Sequence, residues 1–284
     1  MATTLLPHSE PFAAEIWTDL IRRRAGLTIR ESQRAIVAEL LHARMQKRGA
    51  TDPASYFAQL EAEATAGEEW TALVERLVSP ETSFFRHPES FAAVGTRLLR
   101  ELRQRPDAAG RSLSLLSAGC STGQETYSLA MIAAAHAGDD FSVCGVDISR
   151  RAIAIARQAR YAQRALFDVP AAYRRFVRLL PGTPDVEIDA ALRARVRFVA
   201  LDLQTACQVL PSCDVIFCQN VLIYFAPPAA ASLLSQLASR LTLGGYLVPG
   251  PGEAPIALPG LDAVVIDGVR MFRRVGRTMS EVRS

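Results

Sequence analysis

A glycine-rich segment between an apolar strand pattern and an apolar helix pattern constrains the fold of this chain most strongly. Residues 113–117 form a short apolar run that leads into the sequence GCSTG at 119–123, and a helix is predicted at 126–137. A second strand is predicted at 141–146 and ends at Asp147. A strand, a glycine loop, a helix and a second strand in this order predict an α/β fold, with a parallel sheet covered by helices on both faces.

The same alternation continues towards the end of the chain and is interrupted once. Further helices are predicted at 150–160 and 229–241, and further strands at 196–201, 214–218 and 246–248. Residues 261–266 and 271–275 are predicted to form an antiparallel hairpin across the turn Asp267-Gly268. At about 168–195 the alternation breaks, and Pro181-Gly182 predicts a small inserted β-hairpin. This part of the chain is therefore predicted to be a Rossmann-like sheet with one insertion.

The first 79 residues show helical patterns and no strand pattern, so we predict domains at 1–79 and 80–284. The helices are predicted to begin near Phe12 and then to cover 30–47, 55–65 and 68–78. Thr28 followed by Glu31 predicts a capping box for the second helix, and Asp52-Pro53 predicts the start of the third. The two basic clusters of this region are Arg22, Arg23 and Arg24, and Arg44, Lys47 and Arg48.

The composition limits the classes of function. The chain has 284 residues, 49% hydrophobic and 21% charged, which is enough for a buried core and two domains. Its net charge of +3 gives no argument for nucleic acid binding. The five cysteines form no C-x-x-C pair, which favours buried, reduced thiols and no metal site. Because neither a signal peptide nor an apolar run of about 20 residues is found, we expect a cytoplasmic protein without direct membrane insertion.

The glycine loop by itself is compatible with several kinds of site. GCSTG matches the G-x-S-x-G elbow of hydrolases, but that elbow requires a late histidine, and the only histidine after Ser121 is His136. The dinucleotide pattern G-x-G-x-x-G is absent, and a P-loop needs a lysine in the loop, whereas Lys47 is the only lysine of the chain. S-adenosylmethionine has no phosphate group and requires neither feature.

Two acidic residues favour S-adenosylmethionine. Asp147, at the end of the second strand, can accept hydrogen bonds from both ribose hydroxyls, and Glu125 is placed to accept the ammonium group. The alternative for Asp147 is a simple cap of the following helix, since acids are common at that position. Together with the loop, the two acids predict a cofactor site.

Three segments resemble the chemotaxis-receptor glutamate methyltransferases, the CheR family. They are ETSFFRHP at 81–88, SAGCSTG at 117–123 and CQNVLIYF at 218–225. The helical N-terminal domain and the inserted hairpin also fit this family, so the resemblance covers nearly the whole chain. In some members that hairpin docks a receptor's C-terminal tail.

The resemblance implies an S-adenosylmethionine-dependent protein-glutamate O-methyltransferase of bacterial chemotaxis. It would methylate glutamate side chains on the cytoplasmic helices of chemoreceptors and release S-adenosylhomocysteine. A monomer that binds no nucleic acid is implied, with the basic N-terminal domain facing the receptor. The implied cofactor contacts are Pro80, Thr82, Arg86, Gly119, Gly123, Glu125, Asp147, Asp202, Leu203, Gln219 and Asn220.

Arg86 and Tyr224 would face the acceptor carboxylate and form the catalytic pair that the resemblance implies. Phe84-Phe85 is expected to pack in the core, because adjacent large aromatics usually bury. Tyr224 has an alternative interpretation as a half-buried strand end with a solvated hydroxyl.

Several positions depart from the family pattern. Pro80 stands where asparagine is frequent, Gln219 where arginine is usual, and residues 250–253 replace a Gly-His-Ser-Glu-like turn. Pro80 and Gln219 motivate a second hypothesis, a non-catalytic adaptor that binds S-adenosylmethionine or S-adenosylhomocysteine as a signal, whereas Arg86 and Tyr224 argue against it. A third is a methyltransferase for RNA or a small molecule, which the N-terminal arginines allow, but a base-stacking motif such as N-P-P-Y is not found.

Overall fold

The computed structural model describes residues 11–29, 31, 34–62, 67–77, 81–105, 110–253 and 257–275. These residues cluster into two compact units. One consists of the residues before Pro80 together with Tyr224–Ala230, and the other contains the rest. Among the described helices, none combines the length and the apolar character that a bilayer span requires.

Within its described residues, the first unit has the α-helices α1 (Pro11–Ala25), α2 (Arg34–Arg48), α3 (Pro53–Ala62) and α4 (Glu68–Leu77). Its core includes Trp17, Tyr56 and Trp70, all at most 3% exposed. The predicted start of α3 is confirmed, because the Ser55 N–H donates to Asp52 Oδ1 at 2.9 Å and Pro53 is the first helical residue. This pairing satisfies one of the N–H groups that a helix start leaves without a partner.

The predicted start of α2 is wrong. The helix begins at Arg34, well after Thr28, so Thr28 is not its capping residue. Instead, the Thr28 N–H donates to the Tyr224 carbonyl at 2.7 Å, and Leu27 forms an antiparallel bridge with Phe225. The capping pattern is local, and a pairing between residues distant in sequence prevails over it.

Part of each basic cluster is used inside the first unit. The Arg44 Nε donates to Glu69 Oε1 at 2.7 Å, and the Tyr56 hydroxyl donates to the same oxygen at 2.6 Å. Burial raises the pKa of Glu69, but the bonds from Arg44 and Tyr56 outweigh it and lower that pKa. Arg24 donates to the carbonyls of Leu60 and Glu61. The cations exposed to solvent are therefore fewer than the sequence indicates.

The second unit is built on a seven-stranded sheet. Two of its strands precede the insertion, which contains the strands numbered three to five, and the other five follow it. The strands of the sheet are β1 (Leu113–Ala118), β2 (Phe141–Asp147), β6 (Val196–Ala200), β7 (Cys213–Cys218), β8 (Leu241–Pro249), β9 (Leu261–Ile266) and β10 (Val269–Arg274). Their order is β6-β2-β1-β7-β8-β10-β9, with β9 and β10 antiparallel at one edge. The predicted Rossmann-like sheet and its C-terminal hairpin are confirmed.

Helices cover this sheet. They are α5 (Pro88–Ala93), α6 (Leu99–Gln104), α7 (Gln124–His136), α8 (Arg150–Gln158), α9 (Ala190–Arg193), α10 (Leu203–Val209) and α11 (Pro227–Ser239). A π-helical turn, Val94–Leu98, joins α5 to α6. This helical segment was not predicted, and it buries Phe91, Leu98 and Leu102.

The insertion is larger than the predicted hairpin. Strands β4 (Val177–Leu179) and β5 (Asp185–Ile188) form the expected antiparallel pair, and β3 (Arg160–Ala162) adds a third strand beside β5. The sequence predicted residue 160 as helical, but α8 ends earlier because Ala159 adopts a left-handed φ of 55°. A non-glycine residue in this conformation carries no sequence signal of a helix end.

The thiols and one ion pair complete this core. All five cysteines are buried and free, as the sequence predicted. Asp214 is fully buried at the start of β7, where Arg111 donates to both of its oxygens at 2.9 and 2.7 Å. Burial raises the pKa of Asp214, but Arg111, the Ser114 N–H and the Thr242 hydroxyl lower it further than burial raises it.

Candidate functional site

The carboxyl ends of the parallel strands meet at one edge of the sheet and bring the predicted cofactor residues together. The glycine loop follows β1, Asp147 ends β2, Asp202 follows β6, and Gln219 follows β7. The chain leaves β1 towards one side of the sheet and β7 lies on the other side of β1, so the strand order reverses there. Open α/β sheets bind ligands at such a reversal.

The glycine loop has a backbone that requires its glycines. Gly119 and Gly123 have left-handed φ values of 79° and 95°. A Cβ atom on Gly119 would overlap the Val221 side chain, and one on Gly123 would crowd Ala156. The N–H groups of Gly119 and Cys120 both donate to the Val146 carbonyl, at 2.8 and 2.9 Å. Two hydrogen bonds thus fix the loop to the end of β2, and Gly119 and Gly123 lie too close to neighbouring side chains to be replaced by larger residues.

Asp147 fixes this loop through its carboxylate. Oδ2 accepts the Ser121 N–H at 2.8 Å, and Oδ1 accepts the Ser149 N–H at 2.9 Å. The cap of α8 is Ser149, whose hydroxyl accepts the Ala152 N–H at 3.0 Å. The alternative of Asp147 as the simple helix cap is therefore wrong.

Glu125 lies in the first turn of α7, where its carboxylate accepts the Ser117 hydroxyl at 2.6 Å. Burial raises the pKa of Glu125 to about 7. The Ser117 hydroxyl and the charge of Arg86 oppose this rise, whereas the charge of Glu253 adds to it. A cation bound next to such a buried carboxylate would lower its pKa and favour its ionised form.

Asp202 and Leu203 follow β6. Asp202 caps α10, because its Oδ1 accepts the Thr205 N–H at 2.9 Å, and Leu203 is the first residue of that helix. The preceding Leu201 donates its N–H to the Asp147 carbonyl at 2.9 Å. This bond places the two residues at the same sheet edge as Asp147.

Gln219 and Asn220 follow β7. Gln219 is 5% exposed, and its Oε1 has no hydrogen-bond partner within the described ranges. Asn220 has a left-handed φ of 57°, and its Oδ1 lies 3.1 Å from His87 Nε2. Its N–H donates to Glu253 Oε2 at 2.6 Å. His87 and Glu253 thus hold Asn220 from two sides.

In the segment at 81–88, Arg86 directly follows two buried phenylalanines. Phe84 and Phe85 are 2% and 5% exposed, so the predicted packing role is confirmed. Arg86 is exposed, and its Nη1 donates to the Glu81 carbonyl at 3.1 Å. Thr82 is half-buried. Pro80 lies outside the described residues.

Tyr224 belongs to the first unit. Tyr224 is half-buried, as the alternative interpretation expected, but it ends the short 3-10 turn Leu222–Tyr224 and is not a strand end. Its carbonyl accepts the Thr28 N–H, and the neighbouring Ala226 N–H donates to Gly26 at 3.1 Å. The backbone on either side of Phe225 is thereby fixed.

Sequence reasoning assigned no role to Glu253, His87 or Ser117, although each contacts a predicted cofactor residue. His87 lies within the segment ETSFFRHP, and Ser117 begins SAGCSTG, so both stood inside matched motifs. Glu253 is the last residue of the turn 250–253, which departs from the family pattern. The signal that the sequence offered for Glu253 is that the turn differs from the family pattern but still ends in glutamate.

A Rossmann-like sheet with two carboxylates and a glycine loop at its strand reversal defines a nucleoside-binding α/β protein. Residues 80–259 match the family model described as CheR methyltransferase, SAM binding domain, and residues 14–78 match CheR methyltransferase, all-alpha domain. The chain belongs to the CheR methyltransferase family, and its sheet is an S-adenosylmethionine-binding domain.

Curated relatives extend this comparison. The probable biofilm formation methyltransferase WspC of Pseudomonas putida is 35% identical over 246 residues, covering 83% of this chain and 55% of that protein. WspC of Pseudomonas aeruginosa is 31% identical, covering 90% of this chain and 60% of that protein. The chemotaxis protein methyltransferase of Klebsiella aerogenes is 32% identical, covering 87% and 84%. The chain thus spans 55–60% of the length of the two WspC proteins.

Proposed function

We propose that this protein transfers a methyl group from S-adenosylmethionine to glutamate side chains of chemoreceptors and forms glutamyl methyl esters. The observation that carries the proposal is the arrangement around Asn220. His87, from the segment that bears Arg86, contacts the Asn220 side chain, and Glu253 binds its backbone. A segment proposed for the acceptor and a residue proposed for the cofactor therefore adjoin.

The residues present fit S-adenosylmethionine. The loop between Gly119 and Gly123 admits no side chain at either glycine, which keeps its backbone next to the carboxyl end of β1, and Glu125 is a buried carboxylate suited to an ammonium group. Asp147 stands at the end of β2, where its two oxygens accept the N–H groups of Ser121 and Ser149 beside the glycine loop. We propose the same cofactor contacts for Pro80, Thr82, Arg86, Asp202, Leu203, Gln219 and Asn220. The bound cofactor supplies a methyl group on a sulfonium centre.

The chain needs no general base for this reaction. A glutamate carboxylate is ionised at neutral pH, so the acceptor is already a nucleophile. The protein contributes by aligning the acceptor and excluding water. We propose that Arg86 and Tyr224 face the acceptor, because a guanidinium can fix a carboxylate in direction. Arg86 is exposed and hence available to an incoming side chain.

The proposed partner is the cytoplasmic helical part of a chemoreceptor, bound by a cytoplasmic, monomeric enzyme. Arg22, Arg23, Lys47 and Arg48 are exposed on the first unit. Arg22 and Arg23 share the carboxylate of Asp19, at 2.5 and 2.8 Å. Exposed ion pairs of this kind contribute little to stability, so Arg22 and Arg23 can exchange Asp19 for acidic groups of a partner.

The test is incubation of the full chain with tritiated S-adenosylmethionine and membranes that carry chemoreceptors. We expect label on receptor bands, released by mild base because methyl esters hydrolyse. Binding of the cofactor without transfer would instead support a non-catalytic adaptor of the same fold. Base-stable label, or label on RNA, would point to another methyltransferase class.

A further inference from the structure

The inserted three-stranded sheet reaches the site through Tyr161 on β3. The Tyr161 ring packs edge-on against Phe84, with centroids 5.0 Å apart and planes at 81°. Its hydroxyl donates to the Thr122 carbonyl of the glycine loop at 2.9 Å. Tyr161 is 7% exposed, so this bond lies largely away from solvent. One side chain of the insertion therefore contacts both the segment before Arg86 and the cofactor loop.

A second tyrosine of the insertion contacts the next residue of the same segment. Tyr173 lies in the 3-10 helix Ala171–Phe176, and its ring stacks on Phe85 at 5.0 Å and 17°. The Tyr173 hydroxyl lies 3.0 Å from His136 Nε2 on α7. Tyr173 thus bridges α7 and the residue that precedes Arg86.

Phe85 is held in a conformation that needs such support. Its φ is 49°, in the left-handed region that a bulky residue rarely adopts. Its N–H donates to Ser128 Oγ at 3.0 Å, and its ring also packs on Phe91. A residue in this region persists only where its surroundings fix it. The direction in which the backbone presents Arg86 depends on those contacts.

We propose that Tyr161 and Tyr173 are positioning residues, through which the insertion sets the place of Arg86 and of the glycine loop. The insertion then acts on turnover whether or not it binds a partner. The Tyr173 part rests on the proposed function, since it assumes that Arg86 faces the acceptor. The Tyr161 part concerns the cofactor loop alone.

The variants separate ring packing from hydroxyl bonding in the full chain. Tyr173→Phe keeps the stack on Phe85, whereas Tyr173→Ala removes it. Tyr161→Phe keeps the contact with Phe84 and removes the bond to Thr122. Phe167→Ala is the matched control, because Phe167 belongs to the same insertion and is 85% exposed.

Three measurements are made on each variant: the S-adenosylmethionine Kd by calorimetry, kcat and KM on receptor membranes, and amide hydrogen exchange of residues 82–87. For Tyr173→Ala we expect kcat to fall about tenfold or more, Kd to change by less than about threefold, and exchange at Phe85 to accelerate. Tyr173→Phe should restore kcat and exchange. For Tyr161→Phe we expect Kd to rise about threefold to tenfold. Phe167→Ala should match the wild type.

The outcomes distinguish this proposal from the proposed function. Wild-type transfer with an unchanged kcat in Tyr173→Ala overturns the Tyr173 assignment. An absence of wild-type transfer counts against the proposed function, and hydrogen exchange at Phe85 then decides the Tyr173 assignment. An unchanged Kd in Tyr161→Phe overturns the Tyr161 assignment. A loss of melting temperature without these changes shows a role in stability alone.

Discussion

The carboxylate of Glu253 accepts the backbone N–H of Asn220 at 2.6 Å. Its other oxygen accepts the N–H of Ile223 at 3.2 Å, so one side chain spans the turn that follows β7. Gly250 lies against this carboxylate, and a Cβ atom there would overlap it. Burial raises the pKa of Glu253, and the backbone N–H groups of the turn oppose that rise. Glu253 therefore organises the backbone on which the Asn220 side chain is presented.

Glu253→Gln is expected to weaken S-adenosylmethionine binding by about tenfold, because an amide cannot accept from both N–H groups as the carboxylate does. Calorimetry measures the change. Glu101→Gln is a matched control, since the Glu101 carboxylate on α6 also accepts a hydrogen bond, from the Tyr246 hydroxyl at 2.9 Å. Equal affinity in the two variants would remove Glu253 from the site.

Asp147→Ala is expected to cost about 1.5–3 kcal/mol of cofactor binding, the range for hydrogen bonds to a charged group. The loss includes the anchor of the Ser121 N–H, so the loop also becomes less ordered. Isothermal titration gives the affinity, and Asp189→Ala, which removes a helix cap in the insertion, serves as the comparison. An unchanged affinity would show that Asp147 only holds the loop.

Arg86→Ala is expected to leave cofactor affinity within about threefold and to lower methyl transfer at least a hundredfold, because the acceptor loses its orienting cation. Single-turnover kinetics with receptor membranes separates the two quantities. Arg164→Ala, an exposed arginine of the insertion, provides the control. Normal turnover in Arg86→Ala would exclude Arg86 from the reaction.

Cofactor affinity is expected to increase between pH 6 and pH 8, since Glu125 has a pKa of about 7 and attracts an ammonium group only when ionised. In Glu125→Gln this dependence should disappear. The unliganded chain has the opposite trend. In the folded chain the pKa of Glu125 lies above the usual 4.5, so its contribution to the free energy of unfolding falls as pH rises from about 4.5 to about 7 and stays constant above that. Melting curves at several pH values, compared with Glu125→Gln, check this sign.

Arg111→Ala is expected to lower the free energy of unfolding by about 3 kcal/mol, because it leaves the buried charge of Asp214 without its ion-pair partner. The lower end of the usual range applies, since the Arg111 side chain is 35% exposed. Urea denaturation measures the loss. Arg160→Ala breaks the more exposed ion pair with Glu187 and should lower the free energy of unfolding by less than about 1 kcal/mol.

The part of the site that sequence predicts well is local. The glycine loop, Glu125 and Asp147 follow one another through a strand, a helix and a strand, and their backbone constraints act over short distances. Glu253 lies 33 residues from Asn220, with α11 and β8 between them, and no local pattern specifies this contact. Long-range pairing of this kind depends on the assembled sheet.

The missed elements have similar causes. β3 has three residues, and the left-handed Ala159 that precedes it lacks the glycine that usually marks a helix end. α2 begins at Arg34, and the residues predicted to cap it lie in a segment where Leu27 and Thr28 pair with Phe225 and Tyr224. In each case, tertiary contacts prevail over a local preference.

The pairing of residues 26–28 with 224–226 affects how this protein can be recombined with its relatives. A fragment that begins at residue 80 contains Tyr224 but lacks Gly26 and Thr28, whose backbone groups bind Tyr224 and Ala226. Gly26 is also tightly matched to Phe225 and Ala229, since a Cβ atom would lie 3.1 Å from each. A chimaera that takes its helical part from another member therefore has to take the stretch 224–230 from the same parent.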